Sequence, residues 1–550
     1  MPDTELLKAI DRSWEATQPL PSVRPMVILD LVTYLLFVKR LDELQTYQEQ
    51  VAEKSGIVLE NLLFTKDTEA FRWKKFKHLD RKSLHQLFVR EGGALSFYEQ
   101  YGHEPHIFSC FLKAPLLVPP TPILLENAVA IVTHFEQVEK EQRPQLFEYL
   151  IAKVGVASNL RQLPVSPILA KFMVALAAPQ PGDLILDPAA GAATFLVPCE
   201  QYLKETFPQS FKEETTHNSF FADLFLGLEK DPLLLRIGAM KMILNGIDDP
   251  QLKELETVAE RDSESNAETT IVISSIPLTN EQIVEEATDV DAVRSTDTGS
   301  GLFYFDFIVD SLKEGGKAVL LVPETLMVAN TAAPKNMRQQ LVNHFNLQAV
   351  FFIPGGAFQP FSGMGAFIIV FKKQAPTKGG TVLFCNLDME YLTPQKTLQE
   401  QDNFSGAAPA FKDGYKDLQH LIDEVNEPVK MSGTPVSKDC FYVPLPLMRD
   451  HQYDFKSAWY RQKITGQTEE KVSSYSNTGF GKTGIPGINV IANDLDEIDK
   501  PNAVKKTMLW LFVFGLVLFL VYFFVLRKNN EKSTAAVTKA TFYNIVFSQG

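Results

Sequence analysis

Short apolar runs of strand-forming residues recur between residues 155 and 377, and stretches with helical periodicity separate them. This alternation is typical of α/β domains built around a mainly parallel sheet. The pattern therefore predicts an α/β domain over residues 155–377. The apolar runs lie at 184–186, 271–273, 318–322, 349–353 and 367–371.

The segments on either side have other patterns. Residues 1–150 carry apolar side chains at helical spacing and lack a glycine-rich strand-turn-helix, which predicts a helical N-terminal domain. Residues 378–465 are expected to form a mixed C-terminal appendage. Residues 466–504 contain clustered serines and glycines, which is typical of a flexible linker.

An apolar segment at residues 507–526 contains no charge, and fifteen of its twenty residues are Leu, Phe or Val. A helix of this length spans about 30 Å, the thickness of a bilayer core. The chain shows no signal peptide at its N-terminus. We therefore expect a single-pass, tail-anchored membrane protein with a large cytoplasmic N-terminal portion and a short tail at 527–550. A very apolar core helix is the alternative.

The cysteines are far apart and form no C-x-x-C pair, which argues against a zinc site and against disulfides. Free, buried thiols in a reducing compartment are expected instead. His103 and His106 lie near one cysteine, but a third and a fourth ligand are missing, so no metal site is expected. The four cysteines are Cys110, Cys199, Cys385 and Cys440.

Two motifs indicate where a cofactor could bind. L-I-L-D-P-A-A-G-A-A-T-F-L at 184–196 runs from an apolar strand through a turn of small residues into a helix. Small residues let backbone amides approach a ligand closely at a helix N-terminus. F-L-G-L-E-K-D-P at 225–232 places Glu229 at the end of a second short strand, where a carboxylate can bind both hydroxyls of a ribose.

The order of these and further motifs resembles the adenine-N6 DNA methyltransferases, in particular the modification subunit of type I restriction-modification systems. That family has T-P before D-P-A-C-G-T-G-G-F-L, and this chain has Ser166-Pro167 before the D-P-A-A-G-A-A-T-F-L of 187–196. L-K-E-G-G-K-A-V-L-L-V-P at 312–323 is similar to the family's L-K-x-G-G-R-x-x-x-V-x-P. The resemblance covers about residues 10–465.

The resemblance implies a helical N-terminal domain followed by a Rossmann-like methyltransferase domain that uses S-adenosylmethionine. The family has glycine where Ala193 and Thr194 stand here. Because glycine permits positive φ and close backbone approach, this change is expected to weaken S-adenosylmethionine binding. The cofactor-binding residues that the resemblance implies are Ser166, Pro167, Asp187, Pro188, Ala189, Gly191 and Glu229.

The catalytic motif of the family, N-P-P-[FY], is degenerate in this chain. Its polar side chain accepts hydrogen bonds from the adenine amine, and its aromatic ring stacks on the flipped base. Serine is too short to reach the same point, and loss of one well-placed polar group commonly slows a reaction by about 10²- to 10³-fold. Adenine methylation is therefore not expected. The residues that stand at the motif are Ser275, Ile276, Pro277 and Leu278.

Charge argues against DNA as a partner. The net charge is −14 and the sequence pI is about 5.3, whereas affinity for phosphates comes from Lys and Arg. Residues 281–297, which lie beside the target strand in a DNA enzyme of this family, hold six acidic residues and one arginine. A basic cluster at Lys74, Lys75 and Lys77 is interpreted as a solvated helix face.

Three functions remain open at this point. The first is a catalytically degenerate, membrane-tethered protein that acts as a binding or scaffold module, with protein partners at its helical N-terminal domain. The second is a sensor that binds S-adenosylmethionine without chemistry. The third is an active, site-specific DNA adenine methyltransferase of a restriction-modification system. Glu229→Ala should impair only the sensor and not the scaffold, and a methylation assay separates the enzyme from both.

Overall fold

The structure is a computed structural model. All residues that it describes belong to one compact unit, Met1–Glu469. The predictions for the acidic loop at 281–297, the linker at 466–504, the apolar segment at 507–526, the tail at 527–550 and Leu278 fall outside the described residues. The described ranges are 4–17, 25–56, 58–59, 62–103, 108, 110–155, 165–211, 224–255, 268–277, 301–358, 363–387, 416–426 and 439–465.

The N-terminal part of the chain is helical, as the spacing of its apolar residues predicts. Its helices are α1 (Thr4–Glu15), α2 (Pro25–Ser55), α3 (Trp73–Phe76), α4 (Arg81–Val89), α5 (Ala94–Gly102), α6 (Cys110–Lys113), α7 (Pro122–His134) and α8 (Arg143–Gly155). The first half of α2 is almost wholly buried, and it packs against α7 and α8. Asp80 and Thr121 cap α4 and α7 by accepting backbone N–H groups of the first turn.

The described residues contain nine strands in a single sheet. These are β1 (Ile185–Asp187), β2 (Phe225–Glu229), β3 (Gln251–Glu254), β4 (Thr269–Ser275), β5 (Leu312–Pro323), β6 (Asn346–Ile353), β7 (Ala366–Lys372), β8 (Thr381–Asn386) and β9 (Cys440–Pro444). Their order across the sheet is β3-β2-β1-β4-β5-β7-β6-β8-β9. β7 runs antiparallel to β5 and β6, β9 runs antiparallel to β8, and the other pairs are parallel.

Helices cover both faces of the sheet, because side chains along each buried strand alternate between two apolar cores. Ile271 and Ile273 of β4 face one core, and Val272 faces the other. The first core is shared with the N-terminal helices, α9 (Pro167–Ala177), α10 (Leu196–Thr206), α11 (Pro232–Leu244) and α15 (Lys416–Asn426). The second is closed by α12 (Gly301–Ser311), α13 (Glu324–Val328), α14 (Ala332–Asn343), α16 (Leu445–Asp450) and α17 (Ser457–Thr465).

A buried ion pair joins the helical part to the sheet part. Arg236 of α11 is 1% exposed and pairs with Asp30 of α2, which is 2% exposed. The guanidinium also donates to the backbone carbonyls of Phe111 and Ala114. Asp30 accepts the N–H of Leu117 at 2.8 Å. Since α11 follows β2 directly, this contact anchors the helix behind the second strand to α2.

The α/β architecture with a helical N-terminal region is confirmed. Four of the five predicted apolar runs lie within a strand, and the fifth, 184–186, begins one residue before β1. β3, β8 and β9 were not predicted as strands. Q-L-K-E of β3 is polar, and β8 and β9 lie in the segment for which only a mixed appendage was expected. β8 and β9 extend the same sheet by two strands. The domain boundaries themselves stay predictions.

The membrane location expected from the sequence is corrected. None of the helices in the described ranges is long and apolar enough to cross a bilayer. The longest of them, α2, carries Asp30, Lys39 and Arg40 within its buried half and packs inside the protein. The segment at 507–526, on which the single-pass arrangement was based, lies outside the described residues.

The prediction that all cysteines are free thiols is wrong for one pair. Cys385 of β8 and Cys440 of β9 stand opposite each other in the antiparallel register and form a disulfide. Their spacing could not reveal the bond, because 55 residues separate them and only the pairing of the two strands brings them together. Cys199 is free and buried, as predicted.

Candidate active site

Three polar residues end neighbouring strands at one edge of the sheet, the edge formed by the carboxyl ends of its parallel strands. Asp187 ends β1, Glu229 ends β2 and Ser275 ends β4. β1 lies between β2 and β4 and is parallel to both. Because the carboxyl ends of parallel strands meet at the same edge, the sheet gathers residues that lie far apart in the sequence.

Asp187 is a fully buried carboxyl group with one unsatisfied oxygen. Its Oδ1 accepts a hydrogen bond from Ser274 Oγ at 2.7 Å and from the N–H of Ala189 at 3.2 Å. Its Oδ2 is buried and has no hydrogen-bond partner among the described residues. Burial raises the pKa of Asp187 to about 7, against the opposing effect of these two hydrogen bonds.

The turn after Asp187 holds two residues in the left-handed region. Gly191 has φ +53° and Ala193 has φ +55°. Ala193 is fully buried, and α11 crosses so closely that a Cβ at Gly238 would lie 2.9 Å from the carbonyl oxygen of Gly191. The left-handed conformation costs a residue with a Cβ about 1–2 kcal/mol. The position of Ala193 therefore requires the conformation that glycine provides in the family.

Glu229 closes back onto this turn. Its Oε2 accepts the N–H of Gly191 at 2.8 Å, and its Oε1 accepts those of Lys230 and Asp231 at 2.9 Å each. A carboxylate has about four acceptor directions, so one remains for a ligand. Burial raises the pKa of Glu229, and the three N–H donors oppose this rise. The role of Glu229 toward a ribose stays a prediction.

Ser166 and Pro167 form the start of α9. Ser166 is the N-cap, and its Oγ accepts the N–H of Leu169 at 3.2 Å, while Pro167 occupies the first helical position. This capping is a sufficient structural reason for both residue types. Within the described part of the chain, the hydrogen bond of the Ser166 side chain is local to α9, and the role of Ser166 toward a cofactor stays a prediction.

The degenerate catalytic motif begins at the end of β4. Ser275 is 3% exposed, and its Oγ is buried without a hydrogen-bond partner in the ranges that the structure covers. Ile276 is fully buried and its N–H donates to Leu321, whereas Pro277 is half-buried. Alternation along the strand places the side chains of Ser274 and Ser275 on opposite faces. Ser274 therefore supports Asp187, and the assignment of Ser275 to the motif stays a prediction.

Tyr304 of α12 is a buried residue that the sequence did not single out, although charges of the candidate site act on it. Its side chain is 6% exposed, and burial raises its pKa well above the usual value. The charges of Glu229 and Asp187 contribute to the same rise. The aromatic segment at 302–307 predicts a buried helix, but nothing in its spacing points to this edge of the sheet.

The comparison with known families now bears on this geometry. The family described as N-6 DNA Methylase matches residues 145–427, more than half of the chain. The chain belongs to the N-6 DNA methylase family. Among curated proteins, the chain is 24% identical over 236 residues to the type I restriction enzyme EcoEI methylase subunit of Escherichia coli, a match that covers 42% of this chain and 46% of that protein. It is 25% identical over 228 residues to the EcoKI methylase subunit of E. coli strain K12, covering 40% of each. The matches thus span less than half of the length of these relatives.

Solved structures of type I systems share the fold of this family member. One, from work on complex assembly and conformational transition of the type I R-M system, aligns with 100% of this chain and 99% of its own, at a TM-score of 0.64 and 18% identity. The type I methyltransferase subunit from Streptococcus thermophilus aligns at a TM-score of 0.56 and 14% identity, covering 82% of this chain and 98% of that one. At these identities the likeness supports the methyltransferase-like α/β fold with its helical N-terminal region.

S-adenosylmethionine is the cofactor of the N-6 DNA methylases, and the sheet edge fits such a ligand. Asp187 Oδ2 is a buried acceptor without a partner in the described residues, and Glu229 has one acceptor direction left. Gly191 and the tight turn around it bring backbone close to the same edge. These residues would hold the nucleoside part of the cofactor. Among the described residues there is no group of three or more His, Cys, Asp or Glu that could bind a metal ion.

Asp187→Asn is expected to make the protein's stability less dependent on pH. The folded-state pKa of about 7 lies above the usual value of 3.8, so the folded state holds the extra proton between these values and loses stability as pH rises through 7. The neutral amide avoids burying a charge, so the variant should exceed the wild type by on the order of 2 kcal/mol at pH 8 and by little at pH 4. Urea unfolding at both pH values measures this difference. Asp249→Asn, at an exposed position, is the matched control. An equal difference at both pH values would show that Asp187 does not titrate in this range.

Proposed function

We propose that this chain is a modification-subunit-type protein that binds S-adenosylmethionine at the ends of β1 and β2 and methylates DNA adenine only very slowly. The observation that carries the proposal is the contrast within one sheet edge. Asp187 and Glu229 offer acceptors that suit a nucleoside, whereas Ser275, which corresponds by sequence to the family's catalytic asparagine, has a short and enclosed hydroxyl.

The cofactor half of the proposal rests on hydrogen-bond capacity. Burying a carboxylate oxygen without a donor costs about 1–3 kcal/mol or more, and a ligand N–H or O–H at Asp187 Oδ2 would remove that cost. Gly191, in the same turn as the strained Ala193, donates its N–H to Glu229. Binding is expected to be weaker than in relatives with glycine at Ala193 and Thr194, because each Cβ limits how closely the turn can approach a ligand.

The catalytic half rests on the reach of Ser275. When it is bound, S-adenosylmethionine supplies the methyl group, and the protein must orient the adenine amine toward it. An asparagine side chain accepts the amine's hydrogens from a point that a serine hydroxyl cannot reach. Ser275 Oγ is moreover enclosed, so the substrate amine has no access to it without a local rearrangement. Loss of the aromatic at Leu278 removes stacking worth roughly 1–3 kcal/mol.

We propose that the helical N-terminal part binds partner proteins and not DNA. Tyr47 and Val51 lie one turn apart on α2 with exposures of 66% and 41%. Single exposed apolar residues are common, but a pair at this spacing forms a small apolar surface that suits a protein contact. Two lysines of the basic cluster at Lys74, Lys75 and Lys77 already form ion pairs: Lys77 with Glu136, and Lys75 with Glu69. This pairing supports the interpretation of that cluster as a solvated face.

Titration of S-adenosylmethionine into the protein by calorimetry tests the cofactor half. We expect micromolar to millimolar binding that Glu229→Ala weakens at least tenfold, because loss of a charge-assisted hydrogen bond costs about 1.5–3 kcal/mol. Glu254→Ala is the matched control. Glu254 stands opposite Glu229 in the register of β2 and β3, but its side chain is exposed. No heat at millimolar ligand would leave a scaffold that kept only the fold.

Transfer of a labelled methyl group to adenine-containing DNA tests the catalytic half. We expect incorporation at or near background while the cofactor binds. Turnover at rates of roughly one per second or faster, within the usual range for enzymes, would overturn the proposal in favour of an active methyltransferase.

A further inference from the structure

A second polar cleft lies at the opposite edge of the sheet from the candidate active site. It has a volume of about 640 Å³ and opens beside the first residues of β4 and the first half of β5. From Ile271, in this cleft, to Ser275 at the other edge, the strand rises about 13 Å. The side chains that matter for its chemistry are Lys313, Lys317, Lys372, Asp183, Asp423 and Asn426.

Lys317 is the most enclosed cation of the cleft and has only neutral hydrogen-bond partners in the described residues. Its Nζ donates to the backbone carbonyl of Leu176 in the last turn of α9 and to Asn426 Oδ1 at 2.8 Å. An ammonium has three donors, so one remains. The ends of α9 and α15 supply partial negative charge, but neither supplies a full countercharge.

Lys372 stands directly opposite Lys317 on the neighbouring strand. The two residues are register partners in the antiparallel pair of β5 and β7. Like charges at such a position are destabilising, because the Cβ atoms of partners lie about 4.5–5.5 Å apart. Within the described ranges, no carboxylate lies within ion-pair distance of either lysine. A bound anion between them would offset the repulsion.

The acidic residues of the cleft already have donors of their own. Asp183 accepts the N–H of Gln180 at 2.7 Å, and Asp423 accepts Gln419 Nε2 at 2.8 Å. Three lysines against two carboxylates leave a positive balance in the cleft, although the whole chain carries a net charge of −14. The volume lies within the range of roughly 300–1,000 Å³ typical of small-molecule sites.

We propose that this cleft binds a small phosphate-bearing ligand, with Lys317 and Lys372 as the paired cations that hold the phosphoryl group and Lys313 at the rim. The site is separate from the cofactor-binding edge and does not depend on the function proposed for that edge. Free phosphate and a phosphate monoester share the chemistry that the lysines recognise.

Proton uptake is a direct consequence of such binding. Burial lowers the pKa of Lys317 to about 7, and the charge of Lys372 adds to this effect. A phosphoryl group beside Lys317 raises that pKa again. At pH 8 most Lys317 side chains of the free protein are neutral, and a phosphate monoester, whose second pKa is about 6, is already a dianion with almost no proton to release. The protein should therefore take up most of a proton per ligand bound at pH 8. Calorimetric titrations in buffers of different ionisation enthalpy measure this number.

The test is titration of the protein with inorganic phosphate and with ribose 5-phosphate at pH 8. We expect saturable binding with proton uptake, about tenfold weaker in Lys372→Gln. Lys378→Gln makes the same charge change at an exposed residue outside the cleft and should bind as the wild type does. Lys372 is preferred to Lys317 as the variant, because Lys317 also ties α9 to α15. Glu229→Ala should leave phosphate binding unchanged, which separates this site from the cofactor site.

The outcomes show which of the two ligands the cleft prefers and whether the proposed site exists. If ribose 5-phosphate binds more tightly than inorganic phosphate, the ligand is a phosphate monoester. If the two bind equally, the ligand is free phosphate. Both results support the site. Equal affinities in Lys372→Gln and Lys378→Gln, or the absence of proton uptake, would overturn it. Absence of heat with either ligand at millimolar concentration would do the same.

Discussion

Arg236→Met is expected to lower the free energy of unfolding by about 3–5 kcal/mol, because it leaves Asp30 as a buried charge without its cationic partner. The variant also leaves the carbonyls of Phe111 and Ala114 without their donor. Burial raises the pKa of Asp30, and the charge of Arg236 is the largest opposing influence. The methionine conserves most of the apolar volume, so the loss reflects the ion pair and its hydrogen bonds rather than a cavity.

Urea unfolding followed by tryptophan fluorescence measures this change, and Arg40→Met is the matched control. Arg40 also links α2 to the chain after α11, through Asp248 at 3.0 Å, but both partners are about 30% exposed. An exposed pair of this kind contributes about 0–1 kcal/mol. The double variant Arg236→Met with Asp30→Asn should recover part of the loss, because it removes the unpaired charge. A loss in Arg236→Met no larger than that in Arg40→Met would contradict the role of the pair.

Ser275→Asn is expected to raise the rate of adenine methylation by about 10²- to 10³-fold over the wild-type chain. The longer carboxamide restores an acceptor at the end of β4, where the family resemblance places the catalytic asparagine. Adding Ile276→Pro and Leu278→Tyr restores the rest of the motif and should raise the rate further through stacking of the target base. Mass spectrometry of N6-methyladenine in DNA incubated with S-adenosylmethionine measures the product.

Ser274→Asn is the control for this gain. It introduces the same side chain one residue earlier, on the opposite face of β4, where it disrupts the hydrogen bond to Asp187. No gain is expected from it. If Ser275→Asn binds S-adenosylmethionine and still yields no product, the serine at this position is not the reason for slow transfer. A gain in both variants would point to a general change at the edge of the sheet.

Much of the fold follows from local patterns in the sequence. Strand and helix periodicities alternate between 155 and 377, and they predict β1, β4, β5, β6 and β7 because each is an apolar run that needs burial on two faces. The D-P-A-A-G turn and Glu229 are recognisable for the same local reason, since a strand end, a small-residue turn and a carboxylate are each visible within a few residues. The departures at Ala193 and Ser275 are likewise visible by position.

Only the tertiary structure decided the contacts between distant segments. Arg236 and Asp30 lie 206 residues apart, and Cys385 and Cys440 lie 55 apart. Lys317 faces Lys372 because β7 inserts antiparallel between β5 and β6, an order that no local pattern encodes. The fold-back of Glu229 onto Gly191 depends likewise on β1 lying beside β2. Periodicity and turn chemistry are properties of neighbouring residues, whereas strand order and register are set by the packing of the whole sheet, and these determined which polar groups meet.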